Sequence, residues 1–191
     1  MRPIFTIHAG EFIVGEYIEK RFGDTTNTWI PAKDTGIDLL VTSKNNKNSV
    51  SLQVKMSRDY SPEEKKNAFE EKFKACGWLT LKRKKIITSC ADYWVICLIS
   101  HHKRISPQFL VIEPKSLLDR LEKTFKAAHP SRPEPELFHF GPAVTNDLNP
   151  IALDTRSLLK GERRSLLSGS VKLGPREYTD TLDNWNCIKS L

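Results

Sequence analysis

Two neighbouring segments of the chain carry apolar residues at every second position. The first spans residues 36–42 and the second residues 49–56. Their apolar positions are Ile37, Leu39 and Val41, followed by Val50, Leu52, Val54 and Met56. Successive side chains of a β-strand point to opposite faces of the sheet, so each segment has one apolar face. Since the intervening TSKNNKNS is polar and turn-forming, the pattern predicts an antiparallel hairpin.

A helical period precedes the hairpin, in residues 8–22. At about 100° per residue, Val14, Ile18 and Phe22 fall on the same side of a helix as Glu11. Glu11 thus lies in the middle of the apolar stripe, where burial of an unpaired carboxylate would cost several kcal/mol. We therefore expect Glu11 to have a cation or a hydrogen-bond donor as its partner, and a divalent metal ion would satisfy it.

Apolar runs and helix signals continue along the chain. A short strand is expected near Trp29, and the Ser-Pro pair at residues 61–62, followed by two glutamates, is typical of a helix start. Dense apolar runs in residues 92–100 and 108–114 predict buried strands. Leucines at helical spacing predict a helix over residues 115–128. The order α-β-β-β-α-β-β-α predicts an α/β fold in which helices flank a central mixed sheet.

Polar side chains on the hairpin form the candidate site. Asp38 points away from the aliphatic face of its strand, and Gln53 and Lys55 lie on the polar face of the next strand. Pairing of the two strands makes these side chains neighbours, beneath the helix that carries Glu11. We therefore expect a metal site with a lysine beside it, since carboxylate and amide oxygens are ligands that Mg²⁺ accepts.

These residues lie in the motifs GE at 10–11, GID at 36–38 and QVK at 53–55. In this arrangement the chain resembles the PD-(D/E)XK superfamily of nucleases, and more narrowly its Mrr-like branch, in which glutamine replaces the last acid. The resemblance covers residues 5–56 by motif and residues 57–128 by the order of elements. It implies a restriction-endonuclease-like αβββαβ core.

The resemblance also implies roles for individual residues. Glu11, Asp38 and Gln53 would hold one Mg²⁺ ion, which Mn²⁺ could replace. The backbone carbonyl of Val54 would join these ligands. Lys55 would orient or activate the attacking water and stabilise charge on the phosphate. The implied activity is that of a Mg²⁺-dependent deoxyribonuclease, an endonuclease that hydrolyses phosphodiester bonds in restriction or host defence.

Two departures from the family pattern concern the metal site. No proline directly precedes Asp38, and Gln53 leaves the site one negative charge poorer than a third carboxylate would. We therefore expect a lower metal affinity, although an amide oxygen remains an acceptable ligand for Mg²⁺. Asp34, in the sequence KDTGID, is either a substitute ligand or an ordinary turn residue.

The net charge of +7 belongs entirely to residues 1–128, because residues 129–191 hold eight basic and eight acidic side chains. A positive field of this kind attracts DNA. The densest basic group consists of Lys82, Arg83, Lys84 and Lys85. This group either contacts DNA or forms an ordinary solvated surface.

His8, about one helical turn before Glu11, either contacts the substrate phosphate or is a helix-start histidine with no special task.

Residues 129–191 are expected to form a C-terminal extension that packs on the nuclease core of residues 1–128. The sequence HPSRPEPE at its start predicts a linker, and Trp185 is expected to dock the chain end on the core. Residues 155–176 hold six basic side chains and one acidic side chain. This segment either clamps a phosphate backbone or forms a solvated loop.

DNA is the expected partner, and one site of this kind cuts one strand. Double-strand cleavage would need a homodimer or sequential nicking. Trp78 and Tyr60 can stack on bases, but we expect their rings to pack in the core. No small-molecule cofactor is expected.

The sequence also bears on the compartment. No apolar run approaches the length of a membrane span, and the first residues lack the long apolar stretch of a signal peptide. We therefore expect a cytoplasmic protein without a membrane partner. The four cysteines show no close paired spacing, so structural disulfides are not expected.

Two other classes of function fit the same residues. A catalytically inactive nucleic-acid-binding module would keep the fold and the basic surface, while Gln53 would weaken metal binding. A protein-interaction domain would use Glu11, Asp38 and Lys55 as a buried salt-bridge network. Cleavage of DNA distinguishes the nuclease from the first alternative, and stabilisation by metal distinguishes it from the second.

Overall fold

The computed structural model describes residues 8–33, 35–60, 71–100, 105–156, 158, 160–169 and 173–191. This part of the chain forms a mixed α/β fold with five helices and a central mixed sheet of five strands. The helices are α1 Ala9–Phe22, α2 Arg83–Ile87, α3 Pro114–Ala128, α4 Lys160–Ser168 and α5 Asn186–Lys189. The strands are β1 Thr26–Trp29, β2 Leu39–Ser43, β3 Ser49–Met56, β4 Phe73–Cys76, β5 Leu79–Lys82, β6 Tyr93–Leu98, β7 Gln108–Ile112, β8 Leu137–Phe140, β9 Pro142–Thr145 and β10 Ala152–Asp154. None of the helices in the described ranges has both the length and the apolar character needed to cross a membrane.

The central sheet joins β1, β2, β3, β6 and β7 in that order. Antiparallel ladders connect β1 to β2, β2 to β3 and β6 to β7, whereas β3 and β6 run parallel. The predicted hairpin, the strand near Trp29, the two later strands and the helices α1 and α3 are therefore confirmed. The helix start predicted at residues 61–62 lies outside the described residues.

The first strand of the hairpin is shorter than the alternation predicts, because β2 begins at Leu39 rather than at residue 36. Gly36 has a φ of +87°, in the left-handed region, which interrupts the extended backbone before the strand begins. As a result, Ile37 packs on the opposite side of the sheet from Leu39 and Val41. The predicted common face for these aliphatic residues was wrong.

Two hydrophobic cores cover the two faces of the central sheet. The α1-side core contains Val14, Ile18, Leu39, Val41, Leu52, Val54, Val95, Cys97, Phe109, Val111, Trp185 and Ile188. The α3-side core includes Trp94, Ile96, Leu98, Leu110, Ile112, Leu117, Leu121, Phe138, Phe140 and Tyr178. Paired residues of neighbouring strands share a face, and Gln53 pairs with Trp94 while Lys55 pairs with Ile96. Gln53 and Lys55 therefore lie on the α3 side of β3.

Five short strands outside the central sheet were not predicted from the sequence. β4 pairs with β9, which also pairs with β10, and β5 pairs with β8. Each strand has only three or four residues, which is too short for a period of two to be recognised. Their ladders connect residues after 128 to residues before it, and the division into a core and an extension at that point stays a prediction.

The aromatic residues divide between core and surface. Trp185 is fully buried, which confirms that it docks the chain end on the core. Trp78 and Tyr60 are 44% and 54% exposed, so the expectation that they fill the core was wrong. Trp78 directly precedes β5, and its ring centroid lies 5.9 Å from that of His139 on β8. The aromatic ring is thus presented at the surface of the β5–β8 ribbon.

All four cysteines are free. Cys97 is fully buried in the α1-side core, and burial raises the pKa of its thiol to about 12. Burial likewise raises the pKa of Cys187 to about 11. Both thiols therefore remain protonated at neutral pH and pack as small apolar groups.

Candidate functional site

Asp38 is fixed to β3 by two hydrogen bonds. Its backbone N–H donates to the Leu52 carbonyl over 2.8 Å, which extends the β2–β3 ladder by one residue. Its carboxylate Oδ2 accepts a hydrogen bond from the Val54 N–H over 2.7 Å. A carboxylate that accepts a backbone N–H bond is held in one orientation. Asp38 is therefore positioned at the backbone between Gln53 and Lys55.

Lys55 is half-buried, and its ammonium group is held against the sheet. Nζ lies 5.3 Å from the centroid of the Trp94 ring, within the range of a cation–π interaction. Nζ also donates to the Val54 carbonyl over 3.3 Å. The Trp94 ring thus holds the cation on the α3 side of β3, and Lys55 and Asp38 both hydrogen-bond to the backbone of Val54.

Gln53 lies beside the TGID turn. A Cβ atom on Gly36 would lie 3.7 Å from Gln53 Nε2 and 3.7 Å from the Sγ of Cys90. Among the described residues, no hydrogen bond of the Gln53 amide is found, so its carbonyl oxygen can bind another group. The Cys90 thiol donates to the carbonyl of Thr35 over 3.1 Å, which ties the turn to the start of β6.

Glu11 approaches β3 from the α1 side. A Cβ atom on the preceding Gly10 would lie only 2.7 Å from Met56 Cβ and 3.3 Å from Val54 Cγ1, so glycine permits this close packing. The carboxylate of Glu11 accepts a hydrogen bond from the His8 N–H over 3.2 Å, at the first turn of α1. Glu11 therefore has a hydrogen-bond donor as its partner, which is one of the two kinds of partner expected from the sequence.

The position of Glu11 on the helix differs from the prediction. The buried residues of α1 are Gly10, Val14 and Ile18, whereas Glu11 is half-buried. Glu11 thus lies at the margin of the apolar stripe rather than in its middle. The structure gathers Asp38, Gln53 and Lys55 around Val54, whereas the turn that carries Glu11 packs against β3 from the other face. Gln53 and Lys55 lie on the α3 side, so the expectation that they lie beneath the helix that carries Glu11 was wrong.

The donor atoms of this group are mainly oxygens. They belong to the carboxylates of Asp38 and Glu11, the amide of Gln53 and the backbone carbonyl of Val54. In the described part of the chain, no cluster of three or more His, Cys, Asp or Glu side chains is placed to hold a metal ion. A metal at β3 would therefore need the amide and carbonyl oxygens as well. Asp34, the alternative ligand, lies outside the described residues.

The predicted substrate-binding residues lie on separate elements. His8 is exposed immediately before α1. Lys82 ends β5, and Lys84 and Lys85 lie on α2, all with exposed side chains. Arg83 differs, because its guanidinium donates to Glu122 Oε1 on α3, with Nη2 2.7 Å away. The exposed surface of the basic group therefore consists of Lys82, Lys84 and Lys85, while Arg83 joins α2 to α3.

Sequence reasoning missed two residues next to the site, Trp94 and Cys90. Trp94 has a recognisable signal, since it occupies an alternate position of a predicted strand. Cys90 has no comparable signal, because its contact with the TGID turn depends on the crossover between β3 and β6. No protein-family model matches the chain, and no curated protein or solved structure matches it.

Proposed function

We propose that this protein is a metal-dependent DNA endonuclease with a restriction-endonuclease-like core. The observation that carries the proposal is the fixed position of Asp38 beside Gln53 and Lys55, with Oδ2 2.7 Å from the Val54 nitrogen. An aspartate on one strand and a QxK motif on the next, after a glutamate on the first helix, form the set of elements that the superfamily uses. Restriction or host defence is the proposed context.

The residues present fit a magnesium ion by the type of their donor atoms. Mg²⁺ prefers oxygen ligands and is commonly held by one or two carboxylates together with water. Asp38, Glu11, the amide of Gln53 and the carbonyl of Val54 would hold it. When bound, Mg²⁺ would lower the pKa of the attacking water and offset negative charge on the phosphate.

The side chains of this chain would supply the remaining interactions. Lys55 would donate a hydrogen bond to the phosphate or to the attacking water as negative charge develops. Its position over the Trp94 ring, 5.3 Å from the centroid, prepares the ammonium group before the substrate arrives. Asp38 keeps its orientation through the Val54 N–H, so little reorganisation is needed during the reaction.

Exposed lysines near the β5–β8 ribbon support binding of the DNA backbone. A variant with Lys82→Ala, Lys84→Ala and Lys85→Ala should bind duplex DNA more weakly in EDTA, without a change in sequence preference. Each lost phosphate contact should reduce the slope of log K against log salt concentration by about 0.9. Fluorescence anisotropy over a salt series measures both quantities.

The matched control removes three exposed lysines elsewhere, with Lys47→Ala, Lys126→Ala and Lys189→Ala. The net charge of the two variants is equal, so a general electrostatic effect would weaken both alike. An equal loss of affinity in the control would contradict a specific role for the surface formed by Lys82, Lys84 and Lys85.

The direct test of the proposed function is a nicking assay on the full chain. We expect conversion of supercoiled plasmid to open circles with Mg²⁺ or Mn²⁺ and no conversion in EDTA. Linear duplex and single-stranded DNA should be assayed in parallel to define the substrate. Absence of cleavage on all three substrates with both metals would refute the endonuclease.

An inactive nucleic-acid-binding module is the second candidate. The contacts of Lys55 with Trp94 and the Val54 carbonyl favour it, because they also stabilise the sheet without any catalysis. The presence of Gln53 in place of a carboxylate also favours the inactive module, because the metal site would be weaker. This candidate predicts salt-sensitive DNA binding without cleavage. A protein-interaction domain predicts neither DNA binding nor stabilisation by Mn²⁺ in a thermal unfolding experiment.

A further inference from the structure

The β5–β8 ribbon has one buried face and one exposed face. The buried side chains, which belong to the α3-side core, are those of Leu79, Leu81, Phe138 and Phe140. The exposed face, which we call the ribbon platform, consists of Trp78, Thr80, Lys82, Leu137 and His139. Thr80 lies opposite His139 and Lys82 opposite Leu137, so these side chains are cross-strand neighbours. The platform is therefore one continuous surface.

The ribbon platform exposes two large apolar side chains. Trp78 and Leu137 are each 44% exposed. The rings of Trp78 and His139 have centroids 5.9 Å apart and planes inclined by 36°, a separation typical of favourable aromatic pairs. Thr80 Oγ1 lies 3.4 Å from His139 Nδ1, which holds the imidazole on the ribbon. Apolar groups that are exposed next to one another indicate a binding surface, whereas single ones do not.

The backbone that carries Trp78 is fixed by neighbouring elements. The Trp78 N–H donates to Ser57 Oγ over 2.7 Å, and the N–H of the preceding Gly77 donates to the Pro142 carbonyl over 2.8 Å. A Cβ atom on Gly77 would lie 2.7 Å from Leu98 Cδ2, so the chain passes close against the core at this point. The exposed ring is thus held in position before a ligand arrives, which lowers the entropy cost of binding.

The end of the ribbon platform carries an excess of positive charge. The ammonium groups of Lys82, Lys84 and Lys85 are exposed, and none of them forms an ion pair or hydrogen bond within the described residues. The Arg83 N–H donates to the Glu136 carbonyl over 2.8 Å, so the exposed carboxylate of Glu136 lies at the same end. Three lysines beside this carboxylate leave a net positive surface, which is complementary to a phosphate backbone.

We propose that the ribbon platform binds single-stranded DNA, with an unpaired base stacked on Trp78 and phosphates beside Lys82, Lys84 and Lys85. Trp78 and Lys82 are four strand residues apart, about 13 Å, so a short segment of DNA reaches both. Every base has a face that stacks on an aromatic ring, but in a duplex both faces are covered by neighbouring base pairs. The inference rests on the proposed function for the choice of DNA, and it narrows the substrate to DNA with a single-stranded segment.

Titration of the full chain with a single strand of about 16 nucleotides, in EDTA to prevent cleavage, tests the proposal. Tryptophan fluorescence should be quenched, because a stacked base quenches the emission of an indole ring. Trp78→Ala should remove most of the quenching and weaken the affinity about fivefold or more, the usual contribution of one stacked base. Trp78→Phe keeps a ring and should bind within about threefold of the wild type. The anisotropy of a labelled strand measures these affinities independently of the tryptophans.

Three comparisons separate stacking from a general effect of the substitution. Trp29→Ala removes a tryptophan that is 50% exposed at the end of β1, and it should leave the affinity unchanged. The same strand annealed to its complement should bind Trp78→Ala and the wild type alike, because its bases are stacked on one another. An abasic strand keeps the phosphates, so on this strand the effect of Trp78→Ala should disappear. Melting temperatures establish that each variant is folded.

Wild-type affinity of folded Trp78→Ala for the single strand would overturn the proposal, and so would an equal loss of affinity for the abasic strand. Absence of binding to the single strand would also overturn it, and the exposed rings would then fit a protein partner. The nicking assay fails independently of this titration. Binding through Trp78 without cleavage of any DNA would keep the platform and refute the endonuclease. Nicking without any effect of Trp78 on binding would keep the endonuclease and refute the platform.

Discussion

Replacement of Lys55 by methionine should lower the rate of plasmid nicking by about 10²–10³-fold, the usual cost of one donor that stabilises developing charge. Methionine keeps an unbranched side chain on the Trp94 ring, so the packing of the sheet is preserved while the ammonium group is lost. DNA affinity should change little, because the chain has 30 Lys and Arg residues and the substitution removes only one positive charge. The rate is measured under single-turnover conditions with saturating Mg²⁺ and with Mn²⁺.

Asp38→Asn is the complementary change in the same prediction. The asparagine oxygen can still accept the Val54 N–H bond, which spans 2.7 Å in the native chain, so the turn should keep its shape. The loss of one negative charge should raise the metal concentration needed for half-maximal nicking as well as lower the maximal rate. A titration of the rate with Mn²⁺ separates these two effects.

The controls for both variants remove the same charges from exposed positions. Lys47→Met lies in the hairpin turn, and Asp24→Asn follows α1. Both should nick at the wild-type rate. Cleavage that survives Lys55→Met and Asp38→Asn at the wild-type rate would show that a different group of residues performs the reaction. Loss of cleavage in the controls as well would indicate a general effect of charge.

The sequence predicts the parts of the fold that depend on local periodicity. A period of two over residues 49–56 predicts β3, and it correctly assigns Gln53 and Lys55 to the face opposite Leu52 and Val54. The same rule fails at Ile37, because the φ of +87° at Gly36 ends the extended conformation before β2. Alternation is informative only where the backbone is continuous.

Tertiary contacts determine the parts of the fold that the periodicity of the sequence cannot predict. β4 pairs with β9, with Phe73 opposite Thr145, so the two strands lie far apart in sequence. Neither strand has a strong periodic pattern of its own. The side on which α1 packs is set by contact of Gly10 with Met56 and Val54, and this contact moves Glu11 to the margin of the buried stripe. A helical projection gives the apolar side of a helix, but not the precise limits of its contact with the sheet.

Replacement of Trp185 by alanine should lower the free energy of unfolding by about 3–5 kcal/mol, the usual cost of removing a buried large aromatic side chain. Trp185 is fully buried in the α1-side core, directly before α5. Its ring centroid lies 5.3 Å from that of Tyr17 and 5.5 Å from that of Phe109. The substitution therefore removes contacts that hold α1 and β7 to the chain end. Since domains are stable by about 5–15 kcal/mol, this loss is a large fraction of the total.

Urea unfolding followed by circular dichroism measures the change, with Trp78→Ala as the control. Trp78 is 44% exposed, so its replacement should cost less than about 1 kcal/mol. In Trp185→Ala the backbone amides of α1 should also exchange hydrogen faster, because Tyr17 and Phe22 both lose the ring that they contact. Equal stabilities of the two variants would contradict the role of the chain end as part of the α1-side core. The turn that carries Glu11 would then owe its position to the contact of Gly10 with β3 alone.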